Sequence, residues 1–144
     1  MNSPILLVED EPGYQHLMQV ALAEAHVQNE LVVMNDGTEA LDYLFCRGAY
    51  AHRSASDQPV LVLLDLNLPK LDGLEVLKAI RNDPRTARLG VVILTSSPLE
   101  DAVAHGYESN ADVYLQKPIQ FAALIKSVAR AGAGWLISND TPST

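Results

Sequence analysis

The chain has 144 residues, 48% of them hydrophobic, which is enough for one domain with a substantial buried core. Eighteen acidic residues against ten basic ones give a formal net charge of −8, which argues against direct binding to nucleic acid or to an anionic membrane. No signal peptide or membrane-spanning run is evident, and the single cysteine, Cys46, has no partner for an intrachain disulfide. We therefore expect one soluble, cytoplasmic domain with its core at about 4–130, in which Cys46 packs within a helical segment.

The hydrophobic pattern alternates between strand and helix five times. Short apolar runs, typical of parallel strands buried on both faces, lie at residues 5–8, 31–34, 60–64, 91–94 and 113–115. Each run is followed by apolar residues at helical spacing, and the segment after the fourth run has the fewest of them. The predicted inner faces of the helices consist of Tyr14, Leu17, Met18, Ala21, Leu22 and Ala25; Ala40, Leu41, Leu44 and Phe45; Leu74, Leu77 and Ile80; Ala102, Val103 and Tyr107; and Phe121, Leu124, Ile125 and Val128.

One long loop and the C-terminal helix are the unusual features of this pattern. Polar residues predict a loop at 47–59 and a frayed tail at 138–144. Trp135 lies seven residues beyond Val128, on the same helical face. We therefore expect the last helix to continue to about Leu136, although it contains two glycines.

Repeated βα units predict a parallel sheet with right-handed crossovers and helices on both faces. The carboxyl ends of its strands then share one edge, where open α/β sheets bind their ligands. The chemically active side chains expected at this edge are Glu9, Asp10, Asp65, Thr95 and Lys117. Crowded carboxylates repel unless a cation lies among them, and Mg²⁺ takes carboxylate and water ligands. With Mg²⁺ at Glu9 and Asp10, Asp65 stays ionised and can attack phosphorus, while Lys117 stabilises charge.

Purely structural interpretations of the same residues remain open at this point. An acid such as Asp65 can end a strand simply as a solvated residue, Thr95 suits a turn, and Lys117 suits a solvated surface. Tyr114 suits half-buried packing. Neither G-x-x-x-x-G-K-S/T nor G-x-G-x-x-G occurs, which disfavours a nucleotide-binding enzyme. The histidines have no metal-ligand spacing and are interpreted as structural; they are His16, His26, His52 and His105.

Four motifs in order carry a resemblance to a known family. They are LLVEDE, VLLDLNLPKLDG, VVILTSS and ADVYLQKP, each at the end of a predicted strand. With them, the chain resembles the receiver domains of bacterial two-component response regulators, from Ile5 to about Val128. The resemblance implies a flavodoxin-like (βα)5 fold, a doubly wound five-stranded parallel sheet in the order 2-1-3-4-5.

The resemblance also implies a role for each motif residue. Asp65 would be the phosphoacceptor, and Lys117 would contact the phosphoryl group and precede a cis bond to Pro118. Thr95 would be the switch hydroxyl and Tyr114 the switch aromatic. The Mg²⁺ site would consist of Glu9, Asp10, Asp65 and the backbone carbonyl of Asn67.

Two departures from the common receiver pattern narrow the resemblance. Glu9 stands where Asp is commoner, and its longer side chain is expected to reach the ion through water, so that Asp10 is the more secure ligand. The loop at 47–59, the DLNLP motif and the pair Trp135-Leu136 are similar to the subfamily that partners bacterial phytochrome histidine kinases.

The favoured hypothesis is a signalling receiver phosphorylated at Asp65 by a sensor histidine kinase, with no attached output domain and with protein contacts as its output. Its chemistry would be limited to Mg²⁺-dependent self-phosphorylation and autodephosphorylation. One alternative is an aspartyl-phosphate phosphatase of the haloacid-dehalogenase type, against which Asn67 and the lack of cap sequence count. The other is a pseudo-receiver that only binds, against which the intact Asp10, Asp65 and Lys117 count.

A homodimer is a further expectation. Trp135 and Leu136 lie where the domain core has largely run out. They either pack on their own sheet or form a two-fold interface through the face of the fourth helix, fifth strand and fifth helix.

Overall fold

Five parallel strands in the order β2-β1-β3-β4-β5 form the centre of the molecule, which confirms the predicted flavodoxin-like topology. The computed structural model describes residues 3–96 and 111–133. Within these, the strands are β1 Ile5–Val8, β2 Leu31–Met34, β3 Leu61–Asp65, β4 Gly90–Thr95 and β5 Val113–Gln116. The α-helices are α1 Pro12–Glu24, α2 Gly37–Leu44, α3 Gly73–Asn82 and α4 Phe121–Val128. The last of these is the helix that the sequence predicts as the fifth; the predicted fourth helix falls outside the described residues.

The strands match their predicted positions to within one residue at each end. The main difference is at the carboxyl ends, where β3 includes Asp65 and β4 includes Thr95. The ladder between these strands continues to the pair of Asp65 with Leu94, and the next residue, Thr95, pairs with Gln116 of β5. Backbone pairing therefore holds the predicted phosphoacceptor inside the sheet rather than in the loop beyond it.

Two apolar layers cover the two faces of the sheet. Helices α1 and α4 pack with alternate strand residues on one face, and α2 and α3 pack with the others on the opposite face. Because both faces are covered, all side chains of β1 and the four apolar ones of β3 are fully buried. This explains why the strands appear in the sequence as unbroken apolar runs.

Local sequence signals start three of the four described α-helices. Pro12 occupies the first turn of α1, where its missing N–H costs nothing. Asp36 and Asp72 cap α2 and α3, and each side chain accepts a hydrogen bond from the backbone N–H three residues later.

The inner face of α2 differs from the predicted one. The prediction omitted Tyr43, which is buried, and included Phe45, which is half-buried just past the helix end.

The predicted loop at 47–59 is more ordered than expected, since it contains one turn of 3₁₀ helix, Gly48–Tyr50. The Arg53 guanidinium lies over the Tyr43 ring at 3.7 Å and also donates to the Tyr43 carbonyl. Tyr50 packs edge-on against Tyr43, with ring centroids 5.3 Å apart. These contacts fold the loop back onto α2.

The expectation that Cys46 lies within a helix is wrong. Cys46 follows the end of α2 with a left-handed φ of 56°. The N–H of Arg47 donates to the Asp42 carbonyl and that of Cys46 to the Tyr43 carbonyl, which is the hydrogen-bond pattern of a Schellman motif. The chain turns out of the helix at this residue, and Cys46 Sγ lies 3.7 Å from Arg53.

The C-terminal helix also differs from the prediction. Its α-helical part ends at Val128, and a π-helical turn, Ala129–Ala133, follows. This turn packs directly on the start of β4, where a Cβ on Gly90 would lie 2.4 Å from the Ala131 carbonyl oxygen. The predicted extension to Leu136 lies outside the described residues. Among the helices that are described, none has the length and apolar character that crossing a membrane requires.

Gly73, at the start of α3, provides a test of this packing. A Cβ at Gly73 would lie 2.5 Å from the Asp65 carbonyl oxygen and 2.5 Å from Leu66 Cα, both of which are backbone atoms. We expect Gly73→Ala to lower the free energy of unfolding by about 1–3 kcal/mol in urea denaturation. The matched control is Gly13→Ala in α1, where a Cβ meets nothing within 4 Å and should stabilise by about 0.4–1 kcal/mol. Equal effects of the two substitutions would contradict this account.

Candidate functional site

Three carboxylates meet at the carboxyl ends of β1 and β3. Glu9 and Asp65 are buried, whereas Asp10 is exposed. One oxygen from each of the three lies within 4.8 Å of those of the others. Strands β1 and β3 are neighbours, and the residues that precede Glu9 and Asp65 are paired in the sheet. The parallel register therefore forces the two buried acids together, as the sequence predicts.

Lys117 lies between the two buried acids. Its Nζ is 2.8 Å from Glu9 Oε1 and 3.2 Å from Asp65 Oδ2, and only 7% of its side chain is exposed. The backbone N–H of Lys117 donates to the Thr95 carbonyl at 2.7 Å, which anchors the end of β5 to β4. The peptide bond to Pro118 is cis, as predicted.

Burial and charge shift the pKa values of this pair. Burial raises the pKa of the Glu9 carboxyl above its ordinary value; the hydrogen bond from Lys117 opposes the rise and the charge of Asp65 adds to it. Burial alone would lower the pKa of Lys117, but the hydrogen bond to Glu9 and the charge of Asp65 outweigh it and raise that pKa. Lys117 therefore remains a cation at neutral pH.

Tyr14 also contacts Lys117, and sequence reasoning missed this. The Lys117 ammonium lies 4.1 Å from the centroid of the Tyr14 ring, a cation–π geometry. The sequence placed Tyr14 on the apolar face of α1, and it is half-buried against the core there. An aromatic residue in the first turn after an acidic pair is the only sequence signal, and it does not distinguish packing from contact with a cation.

The remaining predicted residues surround this centre. Asn67 is exposed in the loop after β3, and its N–H donates to Asp65 Oδ1 at 3.1 Å. Thr95 is buried at the last position of β4, and Tyr114 is half-buried in β5. Because side chains alternate along a strand and Tyr114 pairs with Ile93, Thr95 and Tyr114 share one face of the sheet. Trp135 and Leu136 lie outside the described residues.

The donor set fits a hard divalent cation. All three clustered ligand atoms are carboxylate oxygens, the type that Mg²⁺ and Mn²⁺ prefer. With three carboxylates and one lysine, the cluster has excess negative charge. Because Asp10 is exposed, water and ions can reach the cluster. Glu9, Asp10 and Asp65 are thus chemically suited to hold such an ion.

The response regulator receiver domain family matches residues 5–129 of this sequence. The chain belongs to this family. Membership places it in two-component signal transduction, confirms the resemblance inferred from the four motifs, and disfavours the phosphatase alternative.

The relatives of this receiver domain include phytochrome response regulators. The response regulator Rcp1 of Synechocystis sp. is 40% identical over 139 residues, which cover 96% of this chain and 92% of Rcp1. The bacteriophytochrome response regulator AtBRR is 42% identical with a TM-score of 0.83, covering 94% of this chain and 96% of AtBRR. The phosphorylated cyanobacterial phytochrome response regulator RcpA is 39% identical with a TM-score of 0.76, covering 99% of this chain and all of RcpA (100%).

A metal-bound relative is also known. A Mn²⁺-bound structure of Rcp1 is 35% identical to this chain with a TM-score of 0.74, covering 99% of this chain and 96% of Rcp1. Divalent metal binding thus occurs in a close structural relative, and the acidic cluster of this receiver domain is compatible with it.

Removing Lys117 should leave the buried acids without compensation. We expect Lys117→Met to lower the free energy of unfolding of the metal-free protein by about 3 kcal/mol or more, measured by denaturant melts in EDTA at neutral pH. The control is Lys70→Met, which removes an exposed lysine 3.5 Å from Asp36 and should cost about 1 kcal/mol or less.

The loss in Lys117→Met should also shrink on acidification. Burial raises the folded-state pKa of Glu9 above its reference value of 4.5, so protonation of Glu9 favours the folded state. Lys117 acts to lower this pKa, so its removal raises the pKa further and the variant gains more from protonation than the wild type. That contribution is complete below 4.5 and is lost as the pH rises through the folded-state pKa. A deficit that is as large at pH 5 as at pH 8, or equal in the two lysine variants, would contradict the pairing.

Proposed function

We propose that this protein is a phosphorylatable receiver in which Asp65 accepts a phosphoryl group from a sensor histidine kinase. The observation that carries the proposal is the position of Asp65, which is buried at a strand end with one oxygen held by the Asn67 N–H and the other 3.2 Å from the Lys117 ammonium. Contacts to both of its oxygens therefore fix the orientation of the Asp65 carboxylate.

The chemistry is a phosphoryl transfer between two side chains. A carboxylate oxygen of Asp65 forms a bond to phosphorus while the phosphorus–nitrogen bond of the donor phosphohistidine breaks, and the imidazole nitrogen keeps the electron pair and takes a proton. Lys117 offers its positive charge to the phosphoryl oxygens. Such reactions depend mostly on positioning and charge stabilisation.

Mg²⁺ is the proposed ion of the acidic cluster, held by Glu9, Asp10, Asp65 and the carbonyl of Asn67. When bound, it neutralises the acids and the phosphoryl oxygens. The all-oxygen donor set favours a hard cation such as Mg²⁺ over softer metal ions. That Glu9 reaches the ion through water rather than directly stays a prediction. The structure shows Glu9 paired with Lys117.

The proposed response uses Thr95 and Tyr114. A phosphoryl group on Asp65 adds acceptor oxygens near the end of β4, where Thr95 ends the neighbouring strand. Thr95 would move toward them, and Tyr114, on the same sheet face, would fill the space that it leaves. This would change the surface around β5. The predicted dimer through Trp135 and Leu136 stays a prediction, because both residues lie outside the described part of the chain.

Asp65 should be the site of labelling. We expect acetyl phosphate with Mg²⁺ to add one phosphoryl group to the wild type and none to Asp65→Asn, measured by intact-protein mass spectrometry. Asp57→Asn, an exposed acid in the loop at 47–59, is the matched control and should be labelled like the wild type. Labelling of Asp65→Asn to the same extent as Asp57→Asn would refute the assignment, whereas no labelling of the wild type or of Asp57→Asn would leave the pseudo-receiver alternative.

The kinase is proposed to be of the bacteriophytochrome type and to dock on an apolar groove between α1 and α4. Relatives named as phytochrome response regulators support the proposed type of kinase. The groove shows three large hydrophobic side chains that are exposed on a domain with a well-covered core: Leu17 at 38%, Val20 at 40% and Phe121 at 46%. The groove adjoins the segment after Lys117, so a kinase helix bound in the groove would bring its histidine close to Asp65.

We also propose that the protein is located in the cytoplasm, where the kinase has access to ATP.

A charge in the apolar groove should separate docking from chemistry. We expect Val20→Glu to slow phosphoryl transfer from a phosphorylated bacteriophytochrome kinase at least about tenfold, since a buried unpaired charge costs several kcal/mol at an interface. Labelling by acetyl phosphate should stay unchanged. The control, Gln19→Glu, adds the same charge on the opposite side of α1 and should transfer normally. Equal transfer rates in both variants would place the kinase elsewhere.

A further inference from the structure

The side-chain amide of Gln15 links the ends of β1 and β2 beside the acidic cluster. Its Nε2 lies 2.6 Å from the carbonyl oxygen of Glu9 and 2.8 Å from Asn35 Oδ1. A carbonyl oxygen only accepts hydrogen bonds, so the atom of Gln15 that faces Glu9 is the nitrogen. An amide nitrogen carries two hydrogens, and these two contacts use both.

The link replaces one rung of the sheet. The last backbone bond between the two strands runs from the Glu9 N–H to the Met34 carbonyl at 3.0 Å. The Glu9 carbonyl and Asn35 come directly after that bond, and the Gln15 amide spans the gap between them. Asn35 is itself held, because its N–H donates to Glu39 Oε1 of α2 at 3.0 Å.

This link acts on the peptide group that joins the two metal-binding acids. The Glu9 carbonyl, the Asp10 N–H and the Asp10 Cα belong to one planar peptide group. Holding the carbonyl therefore also holds the direction of the Asp10 N–Cα bond, from which the Asp10 side chain is positioned. Asp10 is exposed, and its side chain makes no hydrogen bond to any residue that the structure describes. Its position therefore depends on the backbone, whereas Glu9 and Asp65 are each held by Lys117.

We propose that Gln15 is a positioning residue for the divalent-metal site: its amide holds the Glu9–Asp10 peptide so that the Asp10 carboxylate faces Glu9 and Asp65. The proposal rests on the proposed function, because it requires that these acids bind a metal. Gln15 does not touch the ion; it acts through the backbone between two ligands. A residue that orients a ligand typically changes metal affinity by about 10–100-fold when it is removed.

The test compares metal affinity with metal-free stability. Gln15→Met keeps the length of the side chain but removes both N–H donors, and Gln15→Ala guards against a folding defect specific to methionine. Gln19→Met makes the same change one turn later in α1, at an exposed position. Mn²⁺ affinity is measured by electron paramagnetic resonance of the free ion, and the free energy of unfolding by denaturant melts in EDTA.

We expect Mn²⁺ to bind about tenfold more weakly to Gln15→Met and Gln15→Ala than to the wild type, with Gln19→Met unchanged. All four proteins should fold without metal, with only the small loss of stability in the two Gln15 variants that two missing hydrogen bonds cause. Asn35→Ala should weaken Mn²⁺ binding less, and it should add no further loss in the Gln15→Met background, because one link is lost in both.

Three outcomes would overturn the proposal. Equal Mn²⁺ affinity of Gln15→Met and Gln19→Met would show that the link does not serve the metal. Loss of metal-free folding in both Gln15 variants would make the role structural. A wild type and a Gln19→Met variant that both fail to bind Mn²⁺ would instead contradict the proposed metal site itself, which distinguishes the two failures.

Discussion

The structure of this receiver domain depends on one constraint, the burial of two carboxylates at adjacent strand ends. Parallel neighbours lie about 4.8 Å apart, so the β1–β3 register leaves Glu9 and Asp65 no way to separate. Buried acids are costly unless they are paired. Lys117, the residue directly after β5, pairs with both acids, although β5 lies two strands away from β3. Only a side chain with a long stem crosses that distance, and the Tyr14 ring covers its ammonium group. The ion pair thus connects the centre of the sheet to its edge.

This arrangement places the chemistry and the response on different parts of the sheet. The acids lie at the carboxyl ends of β1 and β3, whose apolar side chains are fully buried, so the backbone of these strands has little freedom. Tyr114 lies on β5, which is an edge strand among the strands that the structure describes, and it is half-buried. An edge position can be rearranged at lower cost than a central one, because fewer contacts must be broken. A rigid centre and an adaptable edge suit a domain that converts one covalent change into a new surface.

One departure from the common pattern, the loop at 47–59, packs against α2. Tyr50 of the loop at 47–59 contacts Glu39 at 3.4 Å, and Glu39 accepts the hydrogen bond from Asn35. The loop composition indicated irregular structure, and its order comes instead from the stacking of Arg53 on Tyr43. Sequence periodicity indicates which residues of one helix or strand share a face. The contacts of Tyr50 and Arg53 instead join a loop to a helix, so no local pattern predicts them. The sequence did not predict the Schellman turn at Cys46, because the left-handed position of this motif is usually a glycine and here it is a cysteine.

The sequence by itself determined the order of strands and helices, the sheet topology, and the chemical types at the strand ends, because apolar runs, caps and motif residues are local or ordered along the chain. It brought Glu9, Asp10, Asp65, Thr95 and Lys117 to one edge by topology alone. Only the tertiary structure decided that Lys117 pairs with both buried acids, that Tyr14 covers it, and that Gln15 holds the Glu9 carbonyl. Lys117 and Glu9 are 108 positions apart. Contacts over such a separation depend on strand register and side-chain reach, and both are set only when the sheet is assembled.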